Sequence, residues 1–170
     1  MNSPRTKPGI AAASATELRL SGPQLVELLR DLLAGGKRVR FRAKGFSMMP
    51  FIKDGDVVAV SPLSGTRPGF GEVIVFTHPH TKGLVVHRVV GRRGGTYLAR
   101  GDSNSETDGW VRGEDLLGRV TDVERDGEAV SLGWGPERFL LAFLTRFGLL
   151  KPLIKPVWRL LRPFLSRAKT

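Results

Sequence analysis

A chain of 170 residues, 41% apolar and without cysteine, is long enough for one folded body with appendages; it excludes a disulfide framework, a thiolate zinc site and a thiol nucleophile. The formal net charge of +11 is concentrated at one end: residues 138–170 hold eight Lys and Arg and no acid, whereas residues 1–137 hold 19 basic against 16 acidic groups. An appendage so basic points to an anionic surface as its partner.

Residues 1–18 read as a disordered leader, polar and broken by Pro and Gly, without the apolar core of a secretory signal. Ser21 can N-cap a helix entered through Gly22-Pro23, with Leu25, Val26, Leu28, Leu29, Leu32 and Leu33 at helical spacing and Gly35-Gly36 to stop it. A single helix of about three turns is too little for a helix-turn-helix reader, which needs two packed helices. Val39, Phe41 and Ala43 then alternate with Arg38, Arg40, Arg42 and Lys44, the pattern of a half-buried strand with a basic outer face.

Further strands are expected at Val57–Val60, Glu72–Thr77, Leu84–Val90, Thr96–Arg100, Leu117–Arg125 and Ala129–Leu132. Residues 78–83 read as a hairpin tip, Arg92-Arg93-Gly94-Gly95 and Asp126-Gly127 as turns, and residues 101–113 as a polar loop. Many short strands with turn signals between them predict a mainly β body, a coiled or barrel-like sheet, spanning residues 19–135 together with the N-terminal helix. Residues 136–170 are set apart as a basic, amphipathic helical tail. No window holds the 18 or so apolar residues of a membrane span, so the expected location is the cytoplasm or the periphery of a membrane.

Three stretches carry candidate chemistry. Ser47 sits in Gly45-Phe46-Ser47-Met48-Met49-Pro50, where Pro50 fixes its own φ and moves Met49 away from helical geometry. A hydroxyl on such a turn is positioned, but serine is a weak nucleophile unless a base takes its proton. Of three histidines, His78 and His80 lie in the hairpin tip, while His87 lies on a strand, sharing a face with Val85 and Val89. The third stretch places two carboxylates, Asp102 and Asp108, in one loop; either could hold an imidazole tautomer, and either could simply shape an Asx-rich turn. Two histidines on a tip and one on a strand, with no Cys, make a poor zinc pattern.

Taken in order, Gly45 to Pro50 with Gly55-Asp56-Val57-Val58, then His87-Arg88-Val89-Val90, then Gly101-Asp102-Ser103-Asn104 running to Asp108 resemble the ordered boxes of type I signal peptidases and the related self-cleaving repressor peptidases, over about half the chain. The resemblance implies Ser47 as nucleophile and His87 as base, as in the archaeal and endoplasmic-reticulum type rather than the lysine type. It implies Asp108 as the catalytic acid and Asp102 as a structural or supporting one. It implies no metal or organic cofactor, a polypeptide substrate, and small residues before the scissile bond. Gly45 stands where many signal peptidases carry a serine, which would leave the oxyanion to backbone N–H groups including that of Ser47.

The expected function is therefore a serine endopeptidase of the signal-peptidase type. The alternatives are a self-processing regulator of the same fold, or a non-catalytic basic β-module on a membrane surface or nucleic acid. The one aromatic residue of Val39–Lys44, Phe41, falls on the apolar face rather than among the cations of the basic face, which argues against a nucleic-acid platform. On a helix from Leu149, Lys151, Lys155, Arg159 and Arg162 share one stripe opposite an apolar arc, the pattern of an interfacial membrane helix interrupted by Pro156 and Pro163.

Overall fold

The computed structural model describes residues 21–131, 133, 135–150 and 152. The leader at residues 1–18 and most of the helix expected from Leu149 onward lie outside the described residues. Helix α1 spans Gly22–Ala34. The Ser21 backbone N–H and hydroxyl both donate to Gln24 Oε1, at 3.1 and 2.8 Å, which ties down its first turn. Of its expected stripe, Val26, Leu29 and Leu33 are buried, whereas Leu28 lies on the solvent side.

Eight strands follow: β1 Val39–Arg42, β2 Val57–Ser61, β3 Val73–Thr77, β4 Leu84–Arg93, β5 Thr96–Arg100, β6 Trp110–Arg112, β7 Leu116–Arg125 and β8 Glu128–Ala129. All pair antiparallel in a single open sheet of order β1-β2-β7-β3-β4-β5-β6, with β8 on β7. Because β1 and β6 remain separate edges, the sheet does not close into the barrel that was one form of the expectation. Register shifts at Ala59/Val60, Val75/Phe76 and Val89/Gly91 bend it locally. Gly94-Gly95 and Asp126-Gly127 take positive φ at both positions, the requirement of tight two-residue hairpins. The one strand absent from the sequence reading is β6, three residues inside the expected polar loop. It is too short to show periodicity, yet its Val111 is fully buried opposite Tyr97.

The core lies on both faces of the central strands. Val73 and Val75 join Val58, Val60, Val120, Val123 and the buried face of α1 in one cluster, while Ile74 and Phe76 join Val89, Tyr97, Ala99 and Val111 in another. Strand β3 is therefore buried throughout, which its uninterrupted Val-Ile-Val-Phe run requires. The basic outer face of β1 is matched rather than free: Arg38 pairs with Asp122 and Arg40 with Glu124.

A second helix, α2 at Arg138–Arg146, falls on the tail side of the boundary expected after residue 135, but it packs on the body. Ala142 and Thr145 are buried, and Arg146 Nη1 donates to Val90 O at 2.8 Å. No helix among the described residues is long and apolar enough to cross a membrane.

Asp56, in the turn before β2, is gripped by Arg125 from the end of β7, with Nε to Oδ1 at 2.9 Å and Nη2 to Oδ2 at 2.7 Å. Burial pushes this carboxyl's pKa up, but the Arg125 hydrogen bonds, the Lys53 N–H and the nearby cationic charge outweigh it and hold the pKa below its ordinary value of 3.8. A depressed native pKa contributes stability that is fully present above the unfolded value and is lost as pH falls through the native one. Asp56→Asn should therefore lower stability at pH 7 by about 2–3 kcal/mol. The gap from wild type should narrow below pH 4. Urea unfolding of both proteins at pH 7 and pH 3 checks this; parallel curves at both pH values would contradict it.

Candidate active site

The turn carrying Ser47 is held from both ends. Ahead of it, Ala43 N–H donates to Asp56 O (2.7 Å), Gly55 N–H to Ala43 O (2.9 Å) and Gly45 N–H to Asp54 Oδ1 (2.8 Å). The Asp-Gly-Asp turn that opens β2 thus fixes the approach to the serine. Beyond it, Met49 N–H returns to Phe46 O, and Phe51 and Ile52 N–H both return to Met48 O, so the backbone turns after Ser47, and the Met49–Pro50 bond within the turn is cis. Met48, Phe51 and Ile52 are buried as anchors, so Ser47 is half-buried on a fixed backbone, with Phe46 and Met49 exposed on either side. Gly45 N–H is occupied by Asp54, whereas Ser47 N–H and Met48 N–H donate to no acceptor among the described residues.

His87 occupies the middle of β4, in register with Ile74 of β3, on the face shared with Val85 and Val89. The residue is 5% exposed, and its ring meets Phe76 edge-on at 6.4 Å. Its Nδ1 pairs with Asp108 Oδ2. Asp108 is held in reach by its own N–H, which donates to Ala99 O of β5 at 3.1 Å.

Asp102 faces elsewhere. It takes Arg88 Nε on Oδ1 at 2.9 Å and Nη2 on Oδ2 at 2.8 Å, a bidentate pair in which both side chains are fully buried. Thr145 Oγ1 of α2 donates to the same carboxylate at 3.0 Å, and Arg88 Nη1 donates to Gly71 O and Gly133 O. Neighbouring residues of one strand thus point to opposite faces and select different acids: His87 takes Asp108, and Arg88 takes Asp102.

The nucleophile turn and the acid loop are joined directly. Ser103 N–H donates to Ser47 O at 2.8 Å and Ser103 Oγ to Phe46 O. Gly101 lies at the point of closest approach: a Cβ there would stand 2.6 Å from Ser47 O and 2.9 Å from His87 Nε2. The Ser47 backbone and the free side of the imidazole therefore converge on a residue that must lack a side chain. No hydrogen bond joins Ser47 Oγ to His87 Nε2; such contacts often tighten only when substrate binds. An imidazole held at Nδ1 by a carboxylate, beside a fixed serine, has the parts of a general base for a hydroxyl.

Arg88, Arg100, Ser103 and Thr145 were not singled out from the sequence. Arg88 left a signal: an arginine inside a valine run needs a buried acid. Arg100 holds the loop's shape by donating to Asn104 O and Ser105 O, and it reaches Arg146 O of α2 at 2.9 Å. His78 Nδ1 accepts the N–H groups of His80 and Thr81, and the His78 and His80 rings lie tilted by 55° with centroids 5.8 Å apart. Among the described residues no three His, Cys, Asp or Glu gather as a metal site. Between this hairpin tip and the 103–108 loop lies a broad, open depression of about 640 Å³ bordered by Asp108.

Compared with known proteins, the chain matches no model of a protein family, and no curated protein matches it.

The two carboxylates should separate in stability. Asp102→Asn breaks a fully buried bidentate pair and leaves Arg88 uncompensated, at a cost of about 3–5 kcal/mol. Asp108→Asn, at the rim beside a histidine, should cost about 1 kcal/mol. Chemical denaturation of the two variants checks this; equal losses would contradict the division of partners.

Proposed function

We propose that the protein is a serine endopeptidase resembling signal peptidases of the histidine type, working through Ser47, His87 and Asp108. The observation that carries the reading is the His87 Nδ1–Asp108 pairing with Nε2 turned toward the Ser47 backbone across Gly101. In this route Ser47 Oγ attacks the scissile carbonyl while its proton passes to His87 Nε2. Asp108 keeps Nδ1 as the donor and stabilises the imidazolium. The tetrahedral oxyanion rests on the N–H of Ser47, with Met48 N–H the next available donor. Collapse expels the amine, which takes the proton from Nε2, and water then releases the acyl group by the same steps in reverse. Asp102 touches none of the reacting atoms and serves as a positioning residue through Arg88 and the loop.

The substrate is a polypeptide in extended form, cut after small residues by analogy with the resembling family. Side chains and backbone suffice for this chemistry, without a metal or organic cofactor. Self-processing is the second reading: Gly45 stands at the position of the supporting serine, and this Gly-x-Ser-Met form resembles the self-cleaving repressors more closely. A nucleic-acid module has less to stand on, since Arg38 and Arg40 of the basic strand already hold carboxylates.

The test is a mass-spectrometric search for new peptide termini in precursors incubated with wild type or Ser47→Ala. Cleavage should fall at least about 10³-fold in Ser47→Ala and His87→Ala, and the double variant should be no worse than either single one. Termini that persist unchanged with Ser47→Ala would sink the peptidase reading, and termini from this chain alone would establish self-processing. Gly101→Ala is a second probe. Its methyl would push the Ser47 carbonyl away from His87, and a displacement of about 1 Å should cost roughly 10²-fold in kcat/KM. Full activity in Gly101→Ala would show that the two groups need not meet there.

A further inference from the structure

Helix α2 turns its largest apolar side chains outward. On its inward side Ala142 is fully buried, Leu141 and Leu144 are half-buried and Thr145 donates to Asp102, while the exposed Arg146 reaches from the flank to Val90 O. Its outward side is aromatic: Phe139, Leu140, Phe143 and Phe147 stand at helical spacing and are 50–61% exposed. Leu149, just beyond, is exposed as well. These five make up most of the exposed large apolar side chains among the described residues, gathered on one segment. Phe143 and Phe147 pack ring to ring at 4.8 Å, so the surface is continuous rather than scattered. Contiguous apolar area of this kind marks a contact surface, whereas single exposed apolar residues do not.

Charge selects the occupant. From residue 138 to residue 170 there are eight Lys and Arg and no acid. Glu137, the nearest preceding acid, already accepts the N–H groups of Gly133 and Gly135. Arg138 stands over the Phe139 ring at 5.0 Å, placing a cation at the border of the aromatic face. Residues 1–137 are themselves net basic, so neither a second copy of the body nor the chain's own cationic segment brings complementary charge to this face. An anionic bilayer supplies both requirements, an apolar layer for the rings and headgroups for the cations.

We propose that the outward face of α2 docks into the interface of an anionic lipid bilayer without crossing it, with Phe139, Phe143 and Phe147 as the inserted side chains. The contact would hold whether or not Ser47 cuts peptides. Because Thr145 binds Asp102 and the adjoining Ser103 binds the Ser47 carbonyl, the docked helix is directly bonded to the loop that frames the candidate active site.

The test uses the full chain and vesicles of phosphatidylglycerol and phosphatidylcholine. Wild type should co-sediment with mixed vesicles at low salt and much less with pure phosphatidylcholine. The triple variant Phe139→Ser, Phe143→Ser, Phe147→Ser keeps every charge and every inward contact. It should lose at least tenfold in partition coefficient. Equal binding by the triple variant would mean that charge alone carries the association and would overturn the proposal. So would an absence of binding by wild type, whether size exclusion then shows a dimer that the triple variant breaks or a sharply lowered Tm shows that the face is covered from within. Since the chain has no cysteine, a second measurement is available on the intact fold. An environment-sensitive dye on Phe143→Cys should shift to the blue with anionic vesicles, while the same dye on Lys37→Cys, beside the β1 edge, should not. A silent dye at 143, or the same shift at both sites, would refute insertion of this face.

Discussion

The buried Arg88–Asp102 pair is the contact on which most of the remaining architecture depends. Taking two charges out of water is costly, and the pair is tolerable only because almost every donor and acceptor is used. Asp102 receives two guanidinium nitrogens and the Thr145 hydroxyl, while Arg88 also reaches two backbone carbonyls and lies over the Phe51 ring. Each partner belongs to a different piece of chain: strand β4, the acid loop, α2, and the segments around Gly71, Phe51 and Gly133. A single ion pair thus ties together elements that are distant in sequence.

Its position matters as much as its energy. Arg88 follows His87, and Asp102 precedes Ser103, so the pair fixes strand and loop one residue away from the groups that approach Ser47. The serine turn is also held from the opposite side by Asp54, and by Asp56 in the grip of Arg125. Two buttresses of different origin therefore constrain one short turn. Such duplication is the general requirement for holding a reactive constellation to within a fraction of an ångström. Gly101 shows how tight the closure is, because a single methyl group would meet backbone on one side and imidazole on the other.

Helix α2 illustrates how polar burial and apolar exposure can arise together. The ground against which it packs is the edge of a polar network, so Thr145 faces inward and finds Asp102 there, while the exposed Arg146 reaches Val90 O from the flank. Helical periodicity then leaves the phenylalanines no choice but the outer side. The helix is held by hydrogen bonds, by the buried Ala142 and by the half-buried Leu141 and Leu144, and its phenylalanines remain available for another surface.

The local grammar was legible without tertiary structure. Alternation in β1, the Ser21 cap of α1, the Gly94-Gly95 and Asp126-Gly127 turns, and the face of His87 all follow from short-range rules of period and φ. So did the candidacy of Ser47, His87, Asp102 and Asp108, since ordered motifs are a property of the chain. Open rather than closed sheet topology, the short edge strand β6, and the docking of α2 depended on pairings between segments far apart in sequence. The choice between the two acids is the clearest case. By residue chemistry alone Asp102 and Asp108 are equivalent in a polar loop, and only the resemblance of the ordered boxes favoured Asp108 for the imidazole. The alternation of β4 points His87 and Arg88 to opposite faces, and the loop can then satisfy both only by giving Asp108 to one and Asp102 to the other. Sequence by itself determined which side chains could take part; the three-dimensional path of the loop decided the partners, because a buried charge must be matched in space.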